Sequence, residues 1–118
     1  MNSEDPFSTR QSKVARLIQK ELGIYFQREA GFLSHGKLIT VTVVRVTPDL
    51  SLARVFLSIF PNAEQDKIIQ KIIDTTKTIR LELGRKIRNQ VRIIPDLVFQ
   101  IDDSMEYFEK IDTLLKKK

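Results

Sequence analysis

The chain reads as an α+β protein: a three-stranded sheet covered on one face by helices, in the order α-β-β-α-α-β-α. Three observations predict it. Residues 38–60 hold two β-branched runs separated by a short Pro-Asp turn, the pattern of an antiparallel hairpin. Residues 8–28 and 63–90 place apolar side chains at helical spacing. A third run, 91–101, lies beyond the second helical stretch and alternates apolar residues on one face.

Taken in order, residues 1–7 read as a tail, residues 8–115 as one domain and residues 116–118 as a basic end. Ser8 with Gln11 matches a capping box. Behind it Val14, Leu17, Ile18, Leu22, Tyr25 and Phe26 fall on one side of a helix. Residues 29–37 read as a loop, with Gly31 and Gly36 as breakers. Strands are predicted over 38–47 and 51–60, the second with Ala53, Val55, Leu57 and Ile59 on one face and Leu52, Arg54, Phe56 and Ser58 on the other.

Pro61-Asn62 then opens a helical region with a stripe of Ile68, Ile69, Ile72 and Ile73, continued by Ile79, Leu83 and Ile87. One straight helix there would be long for so small a domain. Asp74-Thr75-Thr76 is a poor helix interior, so a break is expected at these residues. Residues 91–101 read as the third strand, with Pro95 marking a strand start or an edge and Leu97, Phe99 and Ile101 sharing a face. Asp103 with Glu106 forms a second capping box, before a final amphipathic helix carrying Tyr107, Phe108, Ile111, Leu114 and Leu115.

Composition narrows the function classes. A chain of 118 residues with 42% hydrophobic content can bury one core. It has no cysteine, so disulfides and thiolate metal sites are excluded. No apolar run approaches the roughly 18 residues of a membrane span, and the N-terminus MNSEDPFSTR lacks the apolar core of a secretory signal. A cytoplasmic, monomeric protein without a membrane partner or cofactor is the expectation. The net charge of +5 favours a polyanionic partner.

That charge is concentrated in residues 76–92, TKTIRLELGRKIRNQVR. Lys77, Arg80, Arg85, Lys86, Arg88 and Arg92 stand there against the single acid Glu82. Ile79, Leu83 and Ile87 can sit on a core while the other faces carry cations to RNA. On a helical wheel Lys77, Arg80, Gly84 and Arg88 share a side, where the cations would grip phosphates and Gly84 would admit a close backbone. Lys13, Arg16 and Lys20 form a second basic face opposite the core stripe of the first helix. Arg45 and Arg54 either line the exposed sheet face or blunt an edge. Lys116 to Lys118 suit a helix C-terminus or a loose phosphate contact.

Catalysis and metal binding find no support. His35 is the only histidine and stands between glycines in a predicted loop, so it supplies neither a zinc site nor a base with partners. Asp102, Asp103 and Glu106 read as helix-capping carboxylates. Phe56, Phe99, Tyr107 and Phe108 are assigned to the core, and the aromatic pattern of base-stacking sheets is missing.

Three blocks resemble the ribosome-binding factor A family of bacterial small-subunit assembly factors. They are Arg10 with KVARLIQKELGIYF, then ITVTVVRVTPDLSLARVFLSIF, then IRLELGRKIRNQVRIIPDLVFQIDDS, in which Ile79-Arg80, Leu83-Gly84, Arg92, Pro95, Leu97, Phe99, Asp102 and Ser104 follow the family order. The resemblance implies a KH-like fold of the bacterial type, with an Ala-x-Gly kink between two helices in place of a GxxG loop. It also implies a non-catalytic protein that binds free small (30S) subunits, contacts 16S rRNA and assists late maturation and rRNA processing, including in the cold. The positions matching Ala-x-Gly are Thr75, Thr76 and Lys77, so the kink is expected to rest on the weak helix formers at 74–76. Extra residues, including Asn89-Gln90, predict a different loop after the basic helix. The competing readings are a general KH-like nucleic-acid module without subunit preference, and a protein-interaction domain whose charge only aids solubility.

Overall fold

The computed structural model describes residues 7–104. Helix α1, Thr9–Arg28, opens with the predicted capping box: the Gln11 amide donates to Ser8 Oγ at 3.1 Å and the Ser8 amide to Gln11 Oε1 at 2.8 Å. The hairpin follows as strands β1, Leu38–Val46, and β2, Leu52–Phe60. Helices α3, Gln65–Asp74, and α4, Thr76–Ile87, then lead to strand β3, Asp96–Ile101. The sheet order is β1-β2-β3, with β1 antiparallel and β3 parallel to the central β2.

The inner sheet face carries Ile39, Val41, Val44 and Val46, then Ala53, Val55, Leu57 and Ile59, then Leu97 and Phe99, all buried. Against it pack Val14, Ile18, Leu22 and Phe26 of α1, Ile68 and Ile72 of α3, and Ile79, Leu83 and Ile87 of α4. Phe26 meets Phe99 edge to face with ring centroids 5.9 Å apart, which locks α1 over the third strand. Two glutamines tie α1 to β1. Gln11 Nε2 donates to the Val46 carbonyl at 2.8 Å and Gln19 Nε2 to the Val41 carbonyl at 3.0 Å, so α1 shields that edge strand. A bulge at Thr42 shifts the register between Val41 and Val43.

The break between α3 and α4 falls at Thr75, inside the segment expected to break. Thr75 adopts φ −98° and ψ 5°, a backbone open to any L residue, so no glycine is required. The Thr75 hydroxyl donates to the Lys71 carbonyl at 2.7 Å and the Thr76 hydroxyl to the Ile73 carbonyl at 2.7 Å. The Lys71 carbonyl also accepts from the Thr75 amide at 3.1 Å, so the hydroxyls reinforce the backbone bonding at the break.

Four sequence expectations need correction. Residues 29–37 are not all loop, because a five-residue helix α2, Ala30–Ser34, forms there with Gly31 inside it. Its stop is His35, at φ 54°, followed by Gly36 at φ 87°, where glycine is the natural occupant. The third strand begins at Asp96 rather than 91, because pairing with β2 starts there, and Ile94 and Pro95 just before it are held against α4 by Arg80. The helical region after Pro61 starts at Gln65. Phe56 is half-buried on the outer sheet face and is not a core residue, whereas Phe99 is. The final helix with Glu106, Tyr107 and Phe108, and the Lys116 to Lys118 end, lie outside the described residues.

Candidate nucleic-acid interface

The first turns of α1 place Arg10, Lys13, Arg16 and Lys20 three to four residues apart, opposite the buried stripe, and all four are exposed. The chain leaving α4 runs alongside them. Gln90, Val91, Arg92 and Ile93 form the second wall of a groove, and Pro48, Asp49 and Leu50 of the hairpin turn close one end. Two adjoining hollows, of about 450 and 610 Å³, share Lys13, Val14, Gln90 and Val91 and make one continuous open channel.

Five cations line this channel (Arg10, Lys13, Arg16, Lys20 and Arg92), and Asp49 is the single acid. Asp49 is already engaged, because its Oδ1 accepts from Thr47 Oγ1 at 2.8 Å, Ser51 Oγ at 2.8 Å and the Ser51 amide at 3.1 Å. Hydrogen bonds from Thr47 and then Ser51 hold its carboxyl below the usual aspartate range. A groove with cations on two walls and an apolar floor of Val14, Leu17 and Val91 suits a sugar-phosphate chain.

The predicted basic residues thus divide. Lys13, Arg16 and Lys20 come together with Arg92, although they lie far apart in sequence. Lys77, Arg85 and Arg88 are exposed but stand outside the groove lining. Lys86 borders a small cleft between α1 and α4 with Glu21 and Glu82, where acids offset it. In the same cleft Arg28 pairs with Glu82 and lies 5.2 Å from the Tyr25 ring centroid. Burial of Tyr25, with Glu29 and Glu82 nearby, raises its phenol pKa.

The helical-wheel face of Lys77, Arg80, Gly84 and Arg88 is not the open surface expected. Arg80 donates from Nε to the Pro95 carbonyl at 3.0 Å and from Nη2 to the Ile94 carbonyl at 2.6 Å. Its Nε also lies 3.4 Å from Asp96 Oδ1. Gly84 faces Ile94, whose Cγ1 stands 3.5 Å from where a β-carbon would be. Its open side is therefore taken by the protein's own chain rather than left for a ligand backbone.

Sequence reasoning missed Arg10 and Gln90 as groove residues. The stripe 10, 13, 16, 20 carries a helical period that points to Arg10, whereas no local signal places Gln90 opposite it. Among the described residues there is no cluster of three or more His, Asp or Glu side chains able to hold a metal ion. None of their helices is long and apolar enough to cross a membrane.

Residues 10–115 match the family model described as Ribosome-binding factor A. A relative from Cytophaga hutchinsonii, named Ribosome-binding factor A, is 44% identical over 110 residues, spanning 93% of this chain and 83% of the relative. The crystal structure of ribosome-binding factor A from Thermus thermophilus superposes with a TM-score of 0.65 at 20% identity, covering 77% of this chain and 94% of that one. A homology model of the Thermus thermophilus protein, fitted into a cryo-EM map of its complex with the 30S subunit, gives a TM-score of 0.54 at 20% identity over 83% of this chain and 97% of that one. These likenesses share the α+β fold described above.

Proposed function

We infer function from family membership: the chain belongs to the ribosome-binding factor A family. It is read here as a ribosome-binding factor that associates with the small (30S) subunit, contacts 16S rRNA and assists late subunit maturation and rRNA processing, including in the cold. The chain acts without catalysis in this reading. The observation that carries rRNA contact is the two-walled groove, in which Arg10, Lys13, Arg16 and Lys20 of α1 face Arg92 across an apolar floor. The fitting of a Thermus thermophilus relative into a 30S complex supports the choice of subunit.

The mechanism is differential binding. Cations spaced along a helix recognise a particular arrangement of phosphates, and affinity falls when the RNA rearranges. A factor of this kind favours the immature arrangement of its site and leaves when the mature arrangement withdraws it. No bond is made or broken by the protein.

The test is co-sedimentation with free small subunits and with whole ribosomes at two salt concentrations, for the parent and for a Lys13→Glu/Arg16→Glu variant. Both positions are exposed, so the variant is expected to fold. Salt-sensitive binding of the parent to small subunits, lost in the variant, is the expected result. Equal binding to subunits and whole ribosomes would instead make the chain a general nucleic-acid module. Binding indifferent to salt would point to a protein partner.

A further inference from the structure

Arg45 on β1 and Arg54 on β2 stand directly opposite each other in the antiparallel ladder. Both are exposed on the sheet face turned away from α1, α3 and α4. Like charges directly opposite one another destabilise a sheet. The usual reasons for such charges do not apply. An arginine can blunt a free edge, but β2 is the central strand, and α1 covers β1 through Gln11 and Gln19.

Among the described residues neither guanidinium makes an ion pair. The acid nearest in register, Asp96, stands opposite Leu52 and lies against Arg80. The surroundings are apolar and aromatic instead. Arg45 lies 5.0 Å from the Phe7 ring centroid, Arg54 faces Val98 on β3, and the next row across the sheet holds Val43 and Phe56.

We propose that Arg45 and Arg54 form a second phosphate-contact point for RNA, on the outer sheet face and apart from the α1 groove. The proposal rests on the reading that this chain contacts rRNA. A phosphate held between two guanidinia cancels their repulsion through charge-assisted hydrogen bonds, and neighbouring apolar surface strengthens them. The pair also lies close to the groove. Arg45 is three residues before Pro48 of the turn that closes the groove's end, about 10 Å along an extended strand. An RNA segment leaving the groove past that turn therefore meets the arginine pair next.

The pair makes a signature that a merely structural role would not, because stability and affinity move in opposite directions. Arg54→Gln removes the repulsion and leaves the Arg45–Phe7 contact in place. It is expected to unfold at the same or a higher temperature while binding a 16S rRNA fragment roughly threefold to tenfold more weakly. In Arg45→Gln/Arg54→Gln the slope of log affinity against log salt is expected to shrink by about 0.7–0.9, the share of one phosphate. A double variant with the parent's affinity and slope overturns this inference alone, provided the parent binds RNA. A weaker affinity with an unchanged slope overturns it in favour of a non-ionic contact between this face and the RNA. A parent that binds no RNA overturns both this proposal and the rRNA reading beneath it.

Discussion

The Arg80 guanidinium donates to the Pro95 carbonyl at 3.0 Å, so a residue of the basic helix serves to hold the chain's own return across that helix. A second bond to the Ile94 carbonyl completes the grip. Residues 90–93, just before this clamp, form one wall of the cationic groove. Arg80 therefore positions the groove rather than lining it.

Arg80→Ala is expected to lower unfolding stability by about 1–2 kcal/mol, since two carbonyls lose a charged donor. The lower half of that range is favoured because the Arg80 side chain is 43% exposed and water can replace it in part. Its 3.4 Å contact with the exposed Asp96 adds little. Urea unfolding of parent and variant measures the loss, and an unchanged midpoint would refute the clamp. Charge reversal at Arg80 consequently mixes folding with binding, and reversal at Lys13 and Arg16 separates them.

Asp102 gives the chain a pH-dependent tie between strands. Its Oδ1 accepts from the Ser104 amide at 2.9 Å, and its Oδ2 from the hydroxyl of Thr42, the bulge residue of β1, at 2.6 Å. The Ser104 side chain first, then the Thr42 hydroxyl, then the Ser104 amide lower its folded-state pKa below the ordinary 3.8. The unfolded chain therefore binds this proton more readily than the folded one. The stabilisation is fully present above that ordinary value and is lost as pH falls through the lower folded value. Asp102→Asn should be less stable than the parent at pH 7, and the gap should narrow at pH 3. A gap of the same size at both pH values would show that the charge contributes nothing.

Much of the fold was legible because local chemistry and tertiary structure agree there. Ser8 and Gln11 cap α1 as their spacing predicts, and the β-branched runs flank a turn built on Asp49. The break at Thr75 was legible because β-branched polar residues are weak in a helix interior. Residues 91–95 misled because an apolar connector, its end packed on a helix, has the composition of a strand. Ile94 covers Gly84, and Pro95 is fully buried. The same return of the chain divided the basic helix. A wheel cannot distinguish Lys77, which meets solvent, from Arg80, which meets residues 94–96. The groove was half visible, as the periodic cations of α1. Its second wall is a tertiary juxtaposition with no sequence period.

The kink provides a test of its own, because its backbone does not need the glycine found in the family's Ala-x-Gly pattern. Lys77 is the second residue of α4, beyond the break, and is exposed. Lys77→Gly would bring the sequence closer to that pattern, yet it places a flexible residue in a formed helix. A loss of about 0.5–1 kcal/mol is expected, read from the thermal midpoint. A gain would mean that the threonine-held kink is strained and that glycine relieves it.

Gly84 separates a packing role from a binding one most directly. If its missing side chain served to admit an RNA backbone, any β-carbon there would impair binding. The structure instead sets a new β-carbon 3.5 Å from Ile94 Cγ1, an ordinary contact distance, inside a helix where glycine is intrinsically unfavourable. Gly84→Ala should therefore stabilise the fold by about 0.4–1 kcal/mol, chiefly by restricting the unfolded chain, and should leave RNA affinity unchanged. Gly84→Leu must push Ile94 aside and should destabilise instead by about 1–3 kcal/mol. Calorimetry on both variants, together with an rRNA-fragment binding curve for the alanine form, decides the matter. Alanine that keeps the fold but weakens binding would return this helix face to the RNA.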